Sequence, residues 1–140
     1  MRIVLDTDVA SNLIKNTLDP VLRADLALRE AAITSVTVGE LTPWALVRDL
    51  GARRRSELHV YIATRVKIPG GSDVGRKWGE ITAYARRRGR PRLINDSWIA
   101  ACCLTYELPL ATSTRPTSRT TPITKGSGSS PRSVTNPERR

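Results

Sequence analysis

Short unbroken apolar runs alternate along this chain with longer stretches whose apolar residues recur every three or four positions. The first pattern suits strands buried on both faces, and the second suits helices that cover them. Ile3-Val4-Leu5 predicts a strand that Asp6 ends, and Val9, Leu13 and Ile14 then fall at near-helical spacing. A second helix is predicted after Pro20, with Val21, Leu22, Leu26 and Leu28 on its apolar side and Arg23, Asp25 and Arg29 solvated. The run Ala31-Ala32-Ile33-Thr34 predicts another strand. Ser35 is placed to cap a helix holding Val38, Glu40, Leu41, Trp44, Ala45 and Val47, with Pro43 expected near enough to its start to be tolerated.

Gly51 predicts the end of that helix, and the stretch after Arg53 begins another in which Leu58, Tyr61 and Ile62 share a face. Val66-Lys67-Ile68 predicts a short strand closed by PGGSD. The next helix carries Val74, Trp78, Ile81 and Tyr84 on one side, with Lys77 and Arg86-Arg87-Arg88 extending its basic side, until Gly89 to Arg92 break it. In NDSWIAACCLTYE the residues Ile99, Cys102, Cys103 and Tyr106 stand at i, i+3, i+4 and i+7, the spacing of a buried helix, capped by Asn95 or Asp96. LPLAT predicts the last strand.

Strands alternating with helices predict a right-handed α/β sandwich around a parallel sheet, with functional groups at the carboxyl ends of strands, where Asp6 falls. One domain is expected over residues 1–112, enough chain to bury a core without disulfides or a structural metal. From 113 to 140 apolar residues almost vanish in favour of Thr, Ser, Pro, Arg and Gly, and this basic, polar tail is expected to be disordered.

Charge narrows the choice of partner. The 140 residues carry 23 Lys and Arg against 13 Asp and Glu, a formal +10, which points to a polyanionic or acidic partner unless it only solubilises the surface. No apolar run is long enough for a signal-peptide core or a bilayer span, so a cytoplasmic protein without a membrane partner is expected. The two cysteines, Cys102 and Cys103, are neighbours on one helix, where a relaxed disulfide cannot form. They are expected as small core residues, with redox or metal ligation the alternative.

There is no Gly-rich phosphate loop, zinc-ligand spacing or Ser/His/Asp set, and His59, the sole histidine, is expected on the surface or in packing. Carboxylates remain. Asp6 follows a buried strand, Glu40 lies in an apolar helix, and Asp96 opens the most buried helix. Each has a structural alternative: Asp6 as a helix cap, Glu40 as a solvent-facing side chain, Asp96 as an anion at a helix N-terminus.

The three together resemble PIN-domain ribonucleases, particularly VapC-type toxins. VLDTDVAS matches the family's opening strand, TVGEL its helical Glu, and RRRGRPRLINDSWIAACCLTYELPLAT its Arg-rich break, Asn-Asp helix and following strand. The last match is the most specific, and the resemblance covers residues 1 to about 112. It implies a PIN-like three-layer sandwich around a short parallel sheet. It also implies Mg²⁺, or Mn²⁺, held by Asp6, Glu40 and Asp96 as the catalytic carboxylates, with Asp8 as a further helper. The activity implied is endoribonucleolytic, as the toxin of a type II toxin–antitoxin system: water activated at the ion hydrolyses a phosphodiester of RNA. A VapB-type antitoxin and a second copy of the chain are the implied partners. Arg53, Arg54, Arg55, Arg86, Arg87, Arg88, Arg90 and Arg92 supply the charge to hold an RNA backbone, or else form solvated helix faces.

The chain departs from the family after LPLAT. Members continue with Asn or Asp, two variable residues and Asp-Phe, whereas this sequence has Thr114-Arg115-Pro116-Thr117-Ser118. The fourth carboxylate and the closing element of the sandwich are thus missing or altered. Threonine codons begin AC, so the frame starting one base earlier reads xAC at Thr114 and Thr117, which encodes only Asn, Asp, His or Tyr. With third bases chosen freely the tail reads D-P-T-D-F-A-D-Y-A-D-H-E-G-L, the family ending. The tail is therefore read as a frameshift product, with true divergence the alternative. A catalytically impaired PIN homologue that binds RNA or an antitoxin without cleavage is the competing function.

Overall fold

The computed structural model describes residues 1–47 and 50–113. Its centre is β1 (Arg2–Leu5), whose Ile3, Val4 and Leu5 are all fully buried. The pleat sends Ile3 and Leu5 to one face and Val4 to the other, so a three-residue apolar run feeds two cores at once.

Helices α1 (Thr7–Ile14) and α2 (Pro20–Ala27) lead to β2 (Glu30–Thr34). Next come α3 (Ser35–Val47), α4 (Ala52–Thr64), β3 (Val66–Ile68), α5 (Ser72–Arg87), α6 (Ile94–Tyr106) and β4 (Leu110–Ala111). The strands form one parallel sheet in the order β3-β2-β1-β4, with Val4 opposite Leu110 and Ala32 opposite both Val4 and Val66. On one face, Ile3, Leu5 and Ile33 pack with Val9, Leu26, Leu41 and Leu58 from α1 to α4. On the other, Val4, Ala32 and Ile68 pack with Val74, Ile99, Cys102 and Cys103 from α5 and α6. Each fully buried aliphatic side chain of this kind contributes about 1.5–3 kcal/mol. The result is the expected three-layer α/β sandwich, and every element the periodicity predicts is present.

Local details differ from expectation. Thr34, not Ser35, caps α3: its hydroxyl accepts from the Thr37 amide at 3.3 Å, because the strand's last residue has the extended backbone that a cap requires. Pro43 lies in the third turn of α3 rather than near its start. Its missing N–H leaves the Gly39 carbonyl without the usual i, i+4 donor. Neither Asn95 nor Asp96 caps α6, which begins one residue earlier behind Leu93, so both sit within its first turn. Val21, Leu28, Val47 and Tyr84 belong to the predicted apolar sides yet are exposed, since their helices cover the sheet with narrower stripes than composition suggests. The tail from residue 114, and with it the expected disorder and the reading of Thr114 to Ser118, lies outside the described residues.

Parallel connections on both faces fix where a site can form. The chain moves outward from β1 to β2 and β3, then returns to place β4 on β1's other side. Connections therefore diverge at the carboxyl ends of β1 and β4, which opens a crevice there.

Candidate active site

Asp6 follows β1 into that crevice. Its amide donates to the Ala111 carbonyl at 3.0 Å, which locks it to β4, and its carbonyl accepts from the Ala10 amide as α1 begins. The carboxylate caps α1, with Oδ1 accepting from the Val9 amide at 2.9 Å, and Thr112 hydrogen-bonds to it from beyond β4. The cap expected as an alternative to catalysis is thus real, and it aims the carboxylate into the crevice rather than removing it.

Glu40 approaches from α3, one and a half turns past the end of β2. Thr7 and Asn95 hydrogen-bond its carboxylate from α1 and α6. Asp96 stands beside Asn95 in the first turn of α6, and Asp8 in the first turn of α1, both exposed. Three helix starts and two strand ends therefore bring Asp6, Asp8, Glu40 and Asp96 within electrostatic range of one another.

The consequence appears in proton affinity. Burial pushes the half-buried Asp6 carboxyl above its usual range against the opposing Val9 and Thr112 hydrogen bonds, and repulsion from Asp8 and Asp96 adds to the rise. Glu40 is raised for the same reasons, by desolvation first and then by Asp96 and Asp8, although its side chain is largely exposed. Two carboxyls shifted by the same two neighbours constitute an anionic cluster, and among the described residues no cation contributes to either shift. Among the described residues, no three carboxylate, histidine or cysteine groups stand close enough to enclose a cation unaided.

A hydroxyl ladder anchors Thr7, the Glu40 partner, to the neighbouring strand end. Thr7 Oγ1 lies 3.3 Å from Thr37 Oγ1, which lies 3.5 Å from Thr34 Oγ1, joining the β1–α1 turn to the β2–α3 turn. Thr34 and Thr37 are fully buried. Within it Thr7 donates its proton to Thr37. Sequence reading missed Thr7, Thr37, Asn95 and Thr112. For the three threonines the available signal was a hydroxyl within three residues of the ends of β1, β2 and β4, since such residues satisfy backbone groups at the carboxyl end of a sheet.

The groups expected to be inert are so placed. His59 is exposed on α4. Cys102 and Cys103 are buried free thiols whose pKa burial raises, that of Cys103 to about 12.

The PIN domain family matches residues 3–115, from the start of β1 to just beyond β4. This chain belongs to that family. Ribonuclease VapC5 of Mycobacterium tuberculosis is 33% identical over 84 residues, covering 58% of this chain, so the chain spans 62% of that curated relative. The VapBC-5 structure from Mycobacterium tuberculosis, described as a member of the VapBC family of toxin-antitoxin systems, is similar at 28% identity. Its TM-score is 0.56, and the match covers 78% of this chain and 82% of that one. VapBC2 from Rickettsia felis, solved bound to a DNA fragment from its promoter, shares the PIN fold at 21% identity. Its TM-score is 0.71 over 80% of this chain and 87% of that one.

Proposed function

We propose that this chain is a divalent-metal-dependent endoribonuclease, the toxin of a VapBC-type toxin–antitoxin pair. The observation that carries the reading is the convergence of Asp6, Asp8, Glu40 and Asp96 on one crevice at the carboxyl ends of β1 and β4. There Asp6 and Glu40 are raised by desolvation and shared repulsion. The nuclease name and pairing of the relatives support it.

The donor set fits a hard cation. All four side chains offer oxygen, and a positive charge is what relieves their repulsion. Mg²⁺ keeps much of its water and is held directly by only one or two carboxylates, the rest acting through ligand waters, with Mn²⁺ the other candidate. Asp6, Glu40 and Asp96 are the residues assigned to hold it. When bound, the ion supplies an activated nucleophile at neutral pH and stabilises charge developing on the phosphoryl oxygens. Thr7 and Asn95 orient Glu40, while the Val9 amide and Thr112 orient Asp6, which fixes both carboxylates before substrate arrives. The exposed arginines of α4, α5 and the turn before α6 hold the RNA backbone through phosphate charge. A VapB-type antitoxin and a second copy of the chain are the assigned partners.

The test is cleavage of single-stranded RNA by purified protein with and without added Mg²⁺, alongside Asp6→Asn and Asp96→Asn. Cleavage that needs the ion and vanishes in both variants is expected. Equal activity in the variants sinks the carboxylate assignment. A second reading, a PIN homologue that binds RNA or antitoxin without turnover, is favoured by Thr114 and Thr117 standing where the fourth carboxylate is expected, and binding without cleavage in the same assay would establish it.

A further inference from the structure

Four residues after Glu40, the same face of α3 presents Trp44, roughly 6 Å further along the helix axis. Trp44 packs partly against the core, and Lys15 Nζ lies over its ring 5.1 Å from the centroid. A cavity of about 330 Å³ opens at this point between the end of α1, α3 and the start of α4. Ile14, Lys15, Asn16, Trp44, Arg53, Arg54 and Glu57 line it. Three of those side chains are cationic and one is anionic. The Glu57 carboxylate accepts from Arg53 Nε at 3.1 Å, so among the described residues lining the cavity no second carboxylate faces Lys15 and Arg54.

We propose that this pocket receives the nucleotide next to the cleaved phosphodiester, with its base on Trp44 and its phosphate on Lys15, Arg53 and Arg54. The inference rests on the ribonuclease reading and adds a subsite to it. A cavity of this size lies at the lower end of the range for small-ligand sites. A flat aromatic ring beside mobile cations is the combination that binds single-stranded nucleic acid, since every base offers a face to stack and every phosphate a charge to pair. Lys15 is exposed and unbranched, so its ammonium can leave the ring for a phosphate and clear the face for a base. Asn16 and Glu57 place hydrogen-bonding groups at the rim for a base edge or ribose hydroxyl. An acidic peptide would use the cations but gain nothing from the Trp44 ring. Trp44 stands one turn from Glu40 on α3, and none of the four acids lines the pocket, so it is distinct from the carboxylate cluster.

The experiment is equilibrium binding of a short fluorescein-labelled single-stranded RNA to the full chain in EDTA, so that no cleavage intervenes. Wild type is compared with Trp44→Leu and with Arg53→Gln/Arg54→Gln. A series of RNAs, each carrying one abasic residue, is titrated against all three. Trp44→Leu should weaken binding about tenfold with little change in salt slope. The arginine pair should lower that slope by about 0.7, as loss of one single-strand phosphate contact requires. One abasic position should cost wild type about tenfold and cost Trp44→Leu nothing more, because base and ring are then one interaction. Should Trp44→Leu fail to fold, the arginine variant, altered only at exposed positions, decides with the abasic series on wild type. RNA binding indifferent to Trp44 or the arginines, or an abasic series without a sensitive position, overturns the pocket while leaving the ribonuclease reading in place. Trp44-dependent binding of a glutamate-rich peptide without Trp44-dependent RNA binding overturns it in favour of a protein partner. Failure of wild type to bind RNA at any salt concentration overturns both readings.

Discussion

Asp6 Oδ1 accepts the amide hydrogen of Val9 at 2.9 Å, so one side chain both starts α1 and supplies the deepest charge of the crevice. The two roles separate by substitution. Asn retains a cap-competent oxygen and removes the charge, whereas Ala removes both. Asp6→Asn should therefore abolish metal-dependent cleavage at unchanged or higher stability. Asp6→Ala should abolish it at a cost of about 1 kcal/mol. Urea unfolding of the two variants beside a cleavage assay checks this. A large loss of stability in Asp6→Asn would show that the charge itself holds the fold together.

Proton linkage gives a second prediction. Asp6 and Glu40 bind protons more tightly in the folded chain than at their ordinary values of 3.8 and 4.5. Between those values and the raised folded ones, the native state carries more protons than the unfolded state, so these groups lower stability as pH rises. In EDTA, the stability of wild type relative to Asp6→Asn/Glu40→Gln should fall as pH climbs from 3.8 through that window. Added Mg²⁺ should oppose the fall above the window, because only the deprotonated carboxylates bind it. Thermal melts across pH, with and without the ion, read both effects. A difference that grows with pH in EDTA would mean that the carboxylates are compensated by groups other than a metal.

Much of the fold was legible because period and burial agree. Ile3-Val4-Leu5 could only be a strand buried on both faces, and Ile99, Cys102 and Cys103 recur at the helical interval that the structure buries. Asp6, Glu40 and Asp96 stood out because carboxylates are rare in this basic chain and each interrupts an apolar element. Their hydroxyl and amide supports were not legible. Thr7 and Thr37 lie 30 residues apart and meet only because β1 and β2 are neighbours, a relation that no local pattern encodes. Cap positions were misjudged by one residue at Ser35 and by two or more at Asn95 and Asp96. The residue that ends a strand and the residue that starts a helix can both present the needed oxygen, and only the backbone decides between them. The Trp44 cavity likewise depends on α1 and α4 arriving beside α3.

Cys103 provides a third test, this time of the core. Burial and the neighbouring Cys102 push its thiol up to about 12, and Cys102 is raised by burial alone. Thiolate, the reactive form, is therefore scarce at neutral pH, and access to both sulfurs is closed. A thiol-specific reagent at pH 8 should label the native protein only as fast as it unfolds, and the urea-denatured protein at once. Because both folded pKa values exceed 9.0, these groups also subtract stability once pH rises past that value, so labelling and unfolding should accelerate together in strong alkali. Rapid labelling of the native protein at neutral pH would contradict the packing of α6 against β1.

The last prediction turns on Thr112, which follows β4 and hydrogen-bonds to Asp6. The described residues end one position later, at Ser113, and the shifted reading of the tail encodes an acid at 114 and another at 117. β4 itself is two residues long and forms an edge of the sheet, paired only with β1 among the described residues. An edge that short offers little pairing and leaves part of the Leu110 and Ala111 backbone for another element to cover. The frame-restored chain should therefore gain on two separate counts. An added hard anion should tighten Mg²⁺ binding, measured by calorimetry, and an added apolar ending should raise the melting temperature even in EDTA. Gain in metal affinity without gain in the EDTA melt would assign the restored segment to the site alone, and the converse would assign it to packing alone. The gene decides the premise beforehand: a stop codon in the shifted frame, or an AG-type serine codon at Ser118, rules out the frameshift and makes the tail a true divergence of this PIN domain.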